Sequence, residues 1–140
     1  MDNILFLCTG NSCRSQMAEG WAKKLHQNRF NFYSAGTKRH DLNSYAVKVM
    51  QEAGVDISNH YSKTIEDLPD ISFKYIFTVC GDANENCPVF TGGKIIHVGF
   101  DDPPRLCENI EDEQEKLKIY RRVRDQIKNM VENIDHYLNK

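Results

Sequence analysis

The stretch LFLCTGNSCRSQMAEGW (residues 5–21) decides how this chain is read, because it changes character twice within a few residues. Its first part belongs to NILFLC (3–8), a short apolar run with the look of a buried strand. From about Ser12 to Lys24, Met17, Ala18, Trp21, Ala22 and Leu25 recur at helical spacing. The polar turn between them starts at a thiol, Cys8, and ends at a guanidinium, Arg14. Only the thiolate form of a cysteine attacks, so a nucleophilic Cys8 needs stabilisation of negative charge. A loop between strand and helix turns consecutive backbone N–H groups inward, and the helix N-terminus adds positive potential. Gly10 permits the unusual dihedrals of such a ring, and Asn11 tolerates the left-handed region better than most residues. Arg14 can fork two parallel hydrogen bonds onto an oxyanion, and Ser15 can donate to the thiolate. Residues Thr9, Gly10, Asn11, Ser12, Cys13, Arg14 and Ser15 thus form an expected cradle for a tetrahedral dianion, with Cys8 at its base. The competing reading is a buried cysteine at a strand end followed by a capping loop. It leaves strand, Gly-Asn-Ser turn, arginine and helix to coincide by chance.

Working outward, FNFYSAG (30–36) reads as a second strand ending at Gly36. Asn43 is placed to cap a helix carrying Ala46, Val47 and Met50, with Gly54 as its terminator. FKYIFTVC (73–80) and KIIHVGF (94–100) are the third and fourth strands. From roughly Glu111 to the chain end, Leu117, Tyr120, Val123, Ile127, Met130, Ile134 and Tyr137 step by three or four, which predicts one long amphipathic helix laid on the sheet. Strands alternating with helices predict an α/β three-layer sandwich, a central four-stranded parallel sheet flanked by helices. Ligands of such sheets sit at the carboxyl ends of strands, where Cys8 and Cys80 both fall.

The 140 residues are expected to form one domain, 1–140, with ordinary globular proportions of charged and apolar residues. A formal net charge of −2 offers no footprint for nucleic acid or an anionic membrane, so a bound anion must be held by a local site. MDNILFLC has too short an apolar stretch and no basic region for a signal peptide, and no run approaches a membrane span. These features predict a soluble cytoplasmic protein. Its five cysteines, Cys8, Cys13, Cys80, Cys87 and Cys107, are an odd number, which in a cytosolic chain favours thiol chemistry or metal binding over a disulfide framework.

CTGNSCRS closely resembles the phosphate loop of the low-molecular-weight protein tyrosine phosphatases and of the arsenate reductases built on the same fold. SQMAEGWAKK, YSAG, VDISNH and FDDP extend the likeness over nearly the whole chain, which looks most like the thioredoxin-coupled arsenate reductases. The resemblance implies that Asp102, before proline in GFDDPP, protonates the departing oxygen, with Asp101 the alternative; negative charge nearby favours the protonated acid. Tyrosine phosphatases of this kind usually carry an aromatic residue after the Asp-Pro, whereas Pro104 and Arg105 follow here.

VCGDANENCP separates reduction from hydrolysis. Cys80 and Cys87 are seven positions apart, roughly 10 Å if the segment is helical, at about 1.5 Å rise per residue. A disulfide needs Cα atoms within about 7 Å, so joining them requires the segment to unwind, and Gly, Asp and Asn suit that. The implied relay runs from Cys8 on arsenate to Cys80 and then Cys87, ending as a Cys80–Cys87 disulfide that thioredoxin reduces. The alternatives are a phosphatase acting on phosphotyrosine or small phosphoesters and, further off, an anion-sensing module without turnover.

No cofactor is expected, nor a partner beyond the oxyanion and thioredoxin, and the chain is read as a monomer. A zinc site is not expected, since neither cysteine spacing matches a short knuckle. Cys13 is a bystander or off-pathway disulfide partner, and Cys107 a surface thiol. His26, His40, His60, His97 and His136 are scattered, and none is needed as a base. Related reductases hold a potassium ion with an asparagine, a glutamate, a serine and an aspartate. Asn11, Glu19 and Ser34 match the first three, but the fourth position is Lys63, whose ammonium would pair with Glu19 and repel potassium. The resemblance, with that departure, implies no potassium dependence.

Overall fold

From Ile4 to Leu7 every residue of β1 (Asp2–Leu7) is buried, a pattern only an interior strand with both faces covered can sustain. The computed structural model, which describes residues 1–81 and 92–139, places it there. The sheet order is β2-β1-β3-β4, all parallel, with β2 spanning Phe30–Ala35, β3 Tyr75–Cys80 and β4 Lys94–Phe100. Leu7 at the end of β1 pairs with Ala35 on one side and Thr78 on the other. Cys8 therefore leaves the sheet beside the ends of two neighbouring strands, and Cys80 closes β3, as the sequence predicts. Towards β4 the register shifts between Thr78 and Cys80, and Cys80 pairs with Phe100.

Alternate residues of β1 face two cores. Ile4 and Phe6 join the larger one, where the Phe6 ring lies 6.0 Å from Phe32 and 5.5 Å from Phe77 between centroids. Truncating so enclosed a ring costs about 3–5 kcal/mol. Over this face lie α1 (Arg14–His26), α2 (Ser44–Glu52) and α4 (Glu113–Glu132), the last through Leu117, Tyr120, Val123, Ile127 and Met130. Leu5 and Leu7 join the smaller core with Ala35, Phe73 and Ile76, which Ile65 and Leu68 cover from a 3-10 turn at Ile65–Asp67. The predicted cap is in place, the Asn43 side chain accepting from Ala46 N, and Asp112 caps α4 by accepting from Gln114 N.

One element differs from expectation. The terminal helix does not run unbroken to the end: α4 stops at Glu132, and a short α5 (Ile134–Leu138) follows. Asn133 breaks it, with φ −103° and ψ 29°, its side-chain nitrogen donating to Asn129 O at 2.8 Å. A side chain that bonds the preceding turn competes with helix continuation. Between β4 and α4, Pro103 opens the single-turn α3 (Pro103–Leu106). Beyond Gly81, the expected loop between Cys80 and Cys87, and Cys87 itself, lie outside the described residues.

Candidate active site

The loop from Cys8 to Cys13 is shaped by Asn11. Among the described residues Asn11 alone outside glycine has a positive φ, at 47°, whereas Gly10 does not have one. The left-handed turn expected of the pair thus sits on the asparagine. Gly10 is small for another reason, since a Cβ there would meet the His40 ring at 3.1 Å. Asn11 is fully buried, and its side chain fixes the turn. Its Oδ1 accepts from Lys63 N at 2.8 Å and Gln16 Nε2 at 3.0 Å, while its Nδ2 donates to Ser15 Oγ at 2.8 Å. Having accepted that hydrogen, Ser15 Oγ directs its own towards Cys8 Sγ, 2.9 Å away. From outside, Thr9 O accepts from Thr37 N at 2.9 Å and Lys38 N at 3.2 Å. That approach requires glycine at 36, where a Cβ would lie 2.6 Å from Thr9 O.

In front of the loop is a cavity of about 180 Å³. Loop residues 8–10 and 12–14 form its base, and His40, Asp102 and Pro104 its outer wall. Arg14 is 3% exposed; its Nη1 donates to Phe100 O at 3.1 Å and its Nη2 lies 3.7 Å from Asp102 Oδ2. A guanidinium and a carboxyl group therefore face the same small space as the Cys8 thiol. A tetrahedral oxyanion there would meet a guanidinium, a thiol and a carboxyl group, the set that nucleophilic attack with proton donation uses. Cys80 closes in from the side, its Sγ 4.0 Å from Thr9 Oγ1.

Behind the loop the charges neutralise one another. Buried Glu19 accepts from Ser34 Oγ at 2.6 Å and Lys23 Nζ at 2.7 Å, with Lys63 Nζ 4.0 Å from its Oε1. Burial pushes the Glu19 carboxyl up, but the hydrogen bonds from Lys23 and Ser34 and the charges of Lys23 and Lys63 outweigh it, leaving a net lowering. Burial lowers His60 against the pull of Glu19. Its Nδ1 lies 2.9 Å from Gln16 Oε1 and, in the neutral imidazole, donates to it. Lys63 places the chain's own cation beside the carboxylate, so the donor set does not fit a potassium ion.

Compared with known proteins, residues 3–140 match the model of the low molecular weight phosphotyrosine protein phosphatases. The chain belongs to that family. Among its relatives in the family, an arsenate reductase of Bacillus licheniformis is 52% identical over 127 residues, 89% of this chain and 88% of that one. An arsenate reductase of Staphylococcus aureus (strain Newman) is 45% identical over 93% of each chain. A solved arsenate reductase in an oxidised state superposes with a TM-score of 0.77 at 31% identity over 95% of both chains. Another, in a phosphate-binding state, gives 0.74 at 32% identity over 96% of both.

Within this family fold the structure brings Cys8, Thr9, Gly10, Ser12, Cys13, Arg14 and Asp102 to the cavity. Asn11 and Ser15 do not line it; both are completely buried behind the loop and act on its shape. Asp101, the alternative acid, is exposed and paired with Arg122 at 3.1 Å. Burial, with the charges of Cys8 and Asp102, pushes the Cys13 thiol far up, keeping it protonated and unreactive. Cys107 is not the surface thiol expected: it is buried with its Sγ 4.0 Å from Lys116 O, and burial raises it too. Two contributors escape sequence reasoning. His40 walls the cavity, and Gln16 braces the loop through Asn11 and Tyr61 O.

Proposed function

We propose that this chain reduces arsenate to arsenite through a relay of Cys8, Cys80 and Cys87, recycled by thioredoxin. The observation that carries the reading is a buried thiol contributed by a neighbouring strand, Cys80, beside the oxyanion loop at Thr9; phosphoester hydrolysis has no use for one. The arsenate reductases among the chain's relatives support the substrate, and the modest cavity behind His40 and Pro104 suits an inorganic tetrahedral anion.

In the proposed sequence, arsenate sits on the loop N–H groups with Arg14 across two of its oxygens. The Cys8 thiolate attacks arsenic, and Asp102 supplies the proton with which an oxygen leaves as water. Cys80 then attacks the Cys8 sulfur. The S–As bond breaks with its electron pair passing to arsenic, and arsenite departs, leaving a Cys8–Cys80 disulfide. Cys87 attacks Cys80, releases the Cys8 thiolate and leaves Cys80–Cys87, whose two electrons thioredoxin restores. Ser15 orients the sulfur, and Asn11 orients Ser15. We further propose that the 140 residues act as one monomeric domain in the cytoplasm. Among the described residues no helix is long and apolar enough to cross a membrane.

The test is NADPH consumption with arsenate, thioredoxin and thioredoxin reductase, beside a phosphoester hydrolysis assay. The wild type consumes NADPH only with arsenate. Cys87→Ser releases a single equivalent of arsenite and then stops, while its hydrolysis of a phosphoester is unchanged. Sustained turnover by Cys87→Ser rejects the relay. Hydrolysis without arsenate-dependent oxidation makes the protein a phosphatase.

A further inference from the structure

We propose that Gly81 is a positioning residue for the oxyanion pocket: its missing side chain lets the end of β3 press on the Phe100 carbonyl that holds Arg14. A Cβ at position 81 would lie 2.0 Å from Phe100 O, 2.5 Å from Phe100 C and 3.0 Å from Phe100 N. All three are backbone atoms, so no side-chain rotation can make room. Gly81 is not among the glycines with positive φ, so its own dihedrals do not call for glycine; the space does. Gly99 approaches less closely from the other strand, where a Cβ would meet Gly81 Cα at 3.1 Å.

What Gly81 touches matters for the pocket. Phe100 O accepts from Arg14 Nη1 at 3.1 Å, and Asp102, two residues further on, lies 3.7 Å from Nη2. The Phe100 carbonyl therefore helps to orient the guanidinium, and the same turn of chain carries the carboxyl group. A methyl at position 81 forces the Phe100 peptide aside, tilting the fork of Arg14 away from the two oxygens it must meet together. The strand end that bears Cys80 is thereby in backbone contact with the support of the pocket's arginine. This inference goes beyond the proposed reaction and holds whichever oxyanion is turned over.

The probe is inorganic phosphate, titrated into the full chain by calorimetry. Gly81→Ala is expected to weaken phosphate binding roughly ten- to a hundredfold, the range for losing charge-assisted hydrogen bonds. Arg14→Lys, which cannot make the fork, supplies the second edge of a cycle. Gly81→Ala in that background is expected to cost little more, because both changes remove the same geometry. A folded Gly81→Ala protein with wild-type phosphate affinity overturns the proposal, and so do losses that simply add. Should Gly81→Ala fail to fold, the wild-type protein decides by NMR. The Gly81 amide and the Arg14 guanidinium resonances are expected to shift along one phosphate isotherm, and a Gly81 amide unmoved while Arg14 responds overturns the claim.

Discussion

The front and the back of the residue 8–15 loop are built from neighbouring residues, yet they spend their charge differently. In front, Arg14, Asp102 and the Cys8 thiol line a small cavity open to a ligand. Behind, Glu19, Lys23, Ser34, Lys63 and His60 contact one another, and Gln16 joins them to Asn11. Burial makes charge costly in both places. The back answers with pairing inside the fold, the front by keeping a place for a ligand of opposite sign. The difference separates a frame from a reactive surface, and substitutions on the two sides should fail differently.

The largest effect belongs to the front. Cys8→Ser is expected to lower arsenate reduction by about a thousandfold or more, the scale on which loss of a nucleophile is felt. Phosphate affinity and melting temperature stay close to wild type, and a loss of phosphate binding in parallel would break the distinction. Next comes the frame. Glu19→Gln leaves Lys63 without its counterion and is expected to cost about 3 kcal/mol in urea unfolding. Phosphate affinity of the folded variant changes far less. The sign of its pH dependence follows from the lowered Glu19 value. The stabilisation is fully present above the ordinary carboxylate range and is lost as pH falls through the folded value. The gap between wild type and Glu19→Gln is therefore expected to close in acid and persist at neutral pH, as melting curves across that range would show. Smaller again is Asn43→Ala, expected to cost about 1 kcal/mol by removing the cap on Ala46 N, with activity retained. The smallest is a null: at equal ionic strength, potassium chloride and sodium chloride should give the same rate, because Lys63 already fills the cation's role. Severalfold activation by potassium would turn the frame into a binding site.

Much of the front could be read directly from the residues, because its parts are local. Cys8 and Arg14 lie on one strand-turn-helix, where spacing dictates proximity, and Cys80 ends a recognisable strand. The back and the outer wall were less legible, since they depend on contacts across long stretches of chain. His60 reaches Gln16 from 44 residues away, and Ser62 Oγ donates to Gly10 O from 52. No periodicity reports such returns, so His40 and Gln16 read as ordinary residues. Residue type alone leaves the left-handed turn open between Gly10 and Asn11. Asn11 takes it because four hydrogen bonds hold its side chain and carbonyl in place. Cys107 shows the opposite error: a short helix after Pro103 carries an apparently peripheral thiol under α4, which no local pattern announces.

The clasp at the end of β2 has a consequence for the tempo of the protein. Thr37 N and Lys38 N hold the Thr9 carbonyl, and Gly36 lies against the peptide units on either side of it. This part of the receptor is thus braced by the fold's own backbone. Little conformational freedom is left for an incoming ligand to remove, so a vacated pocket is ready for its next guest as soon as the last one leaves.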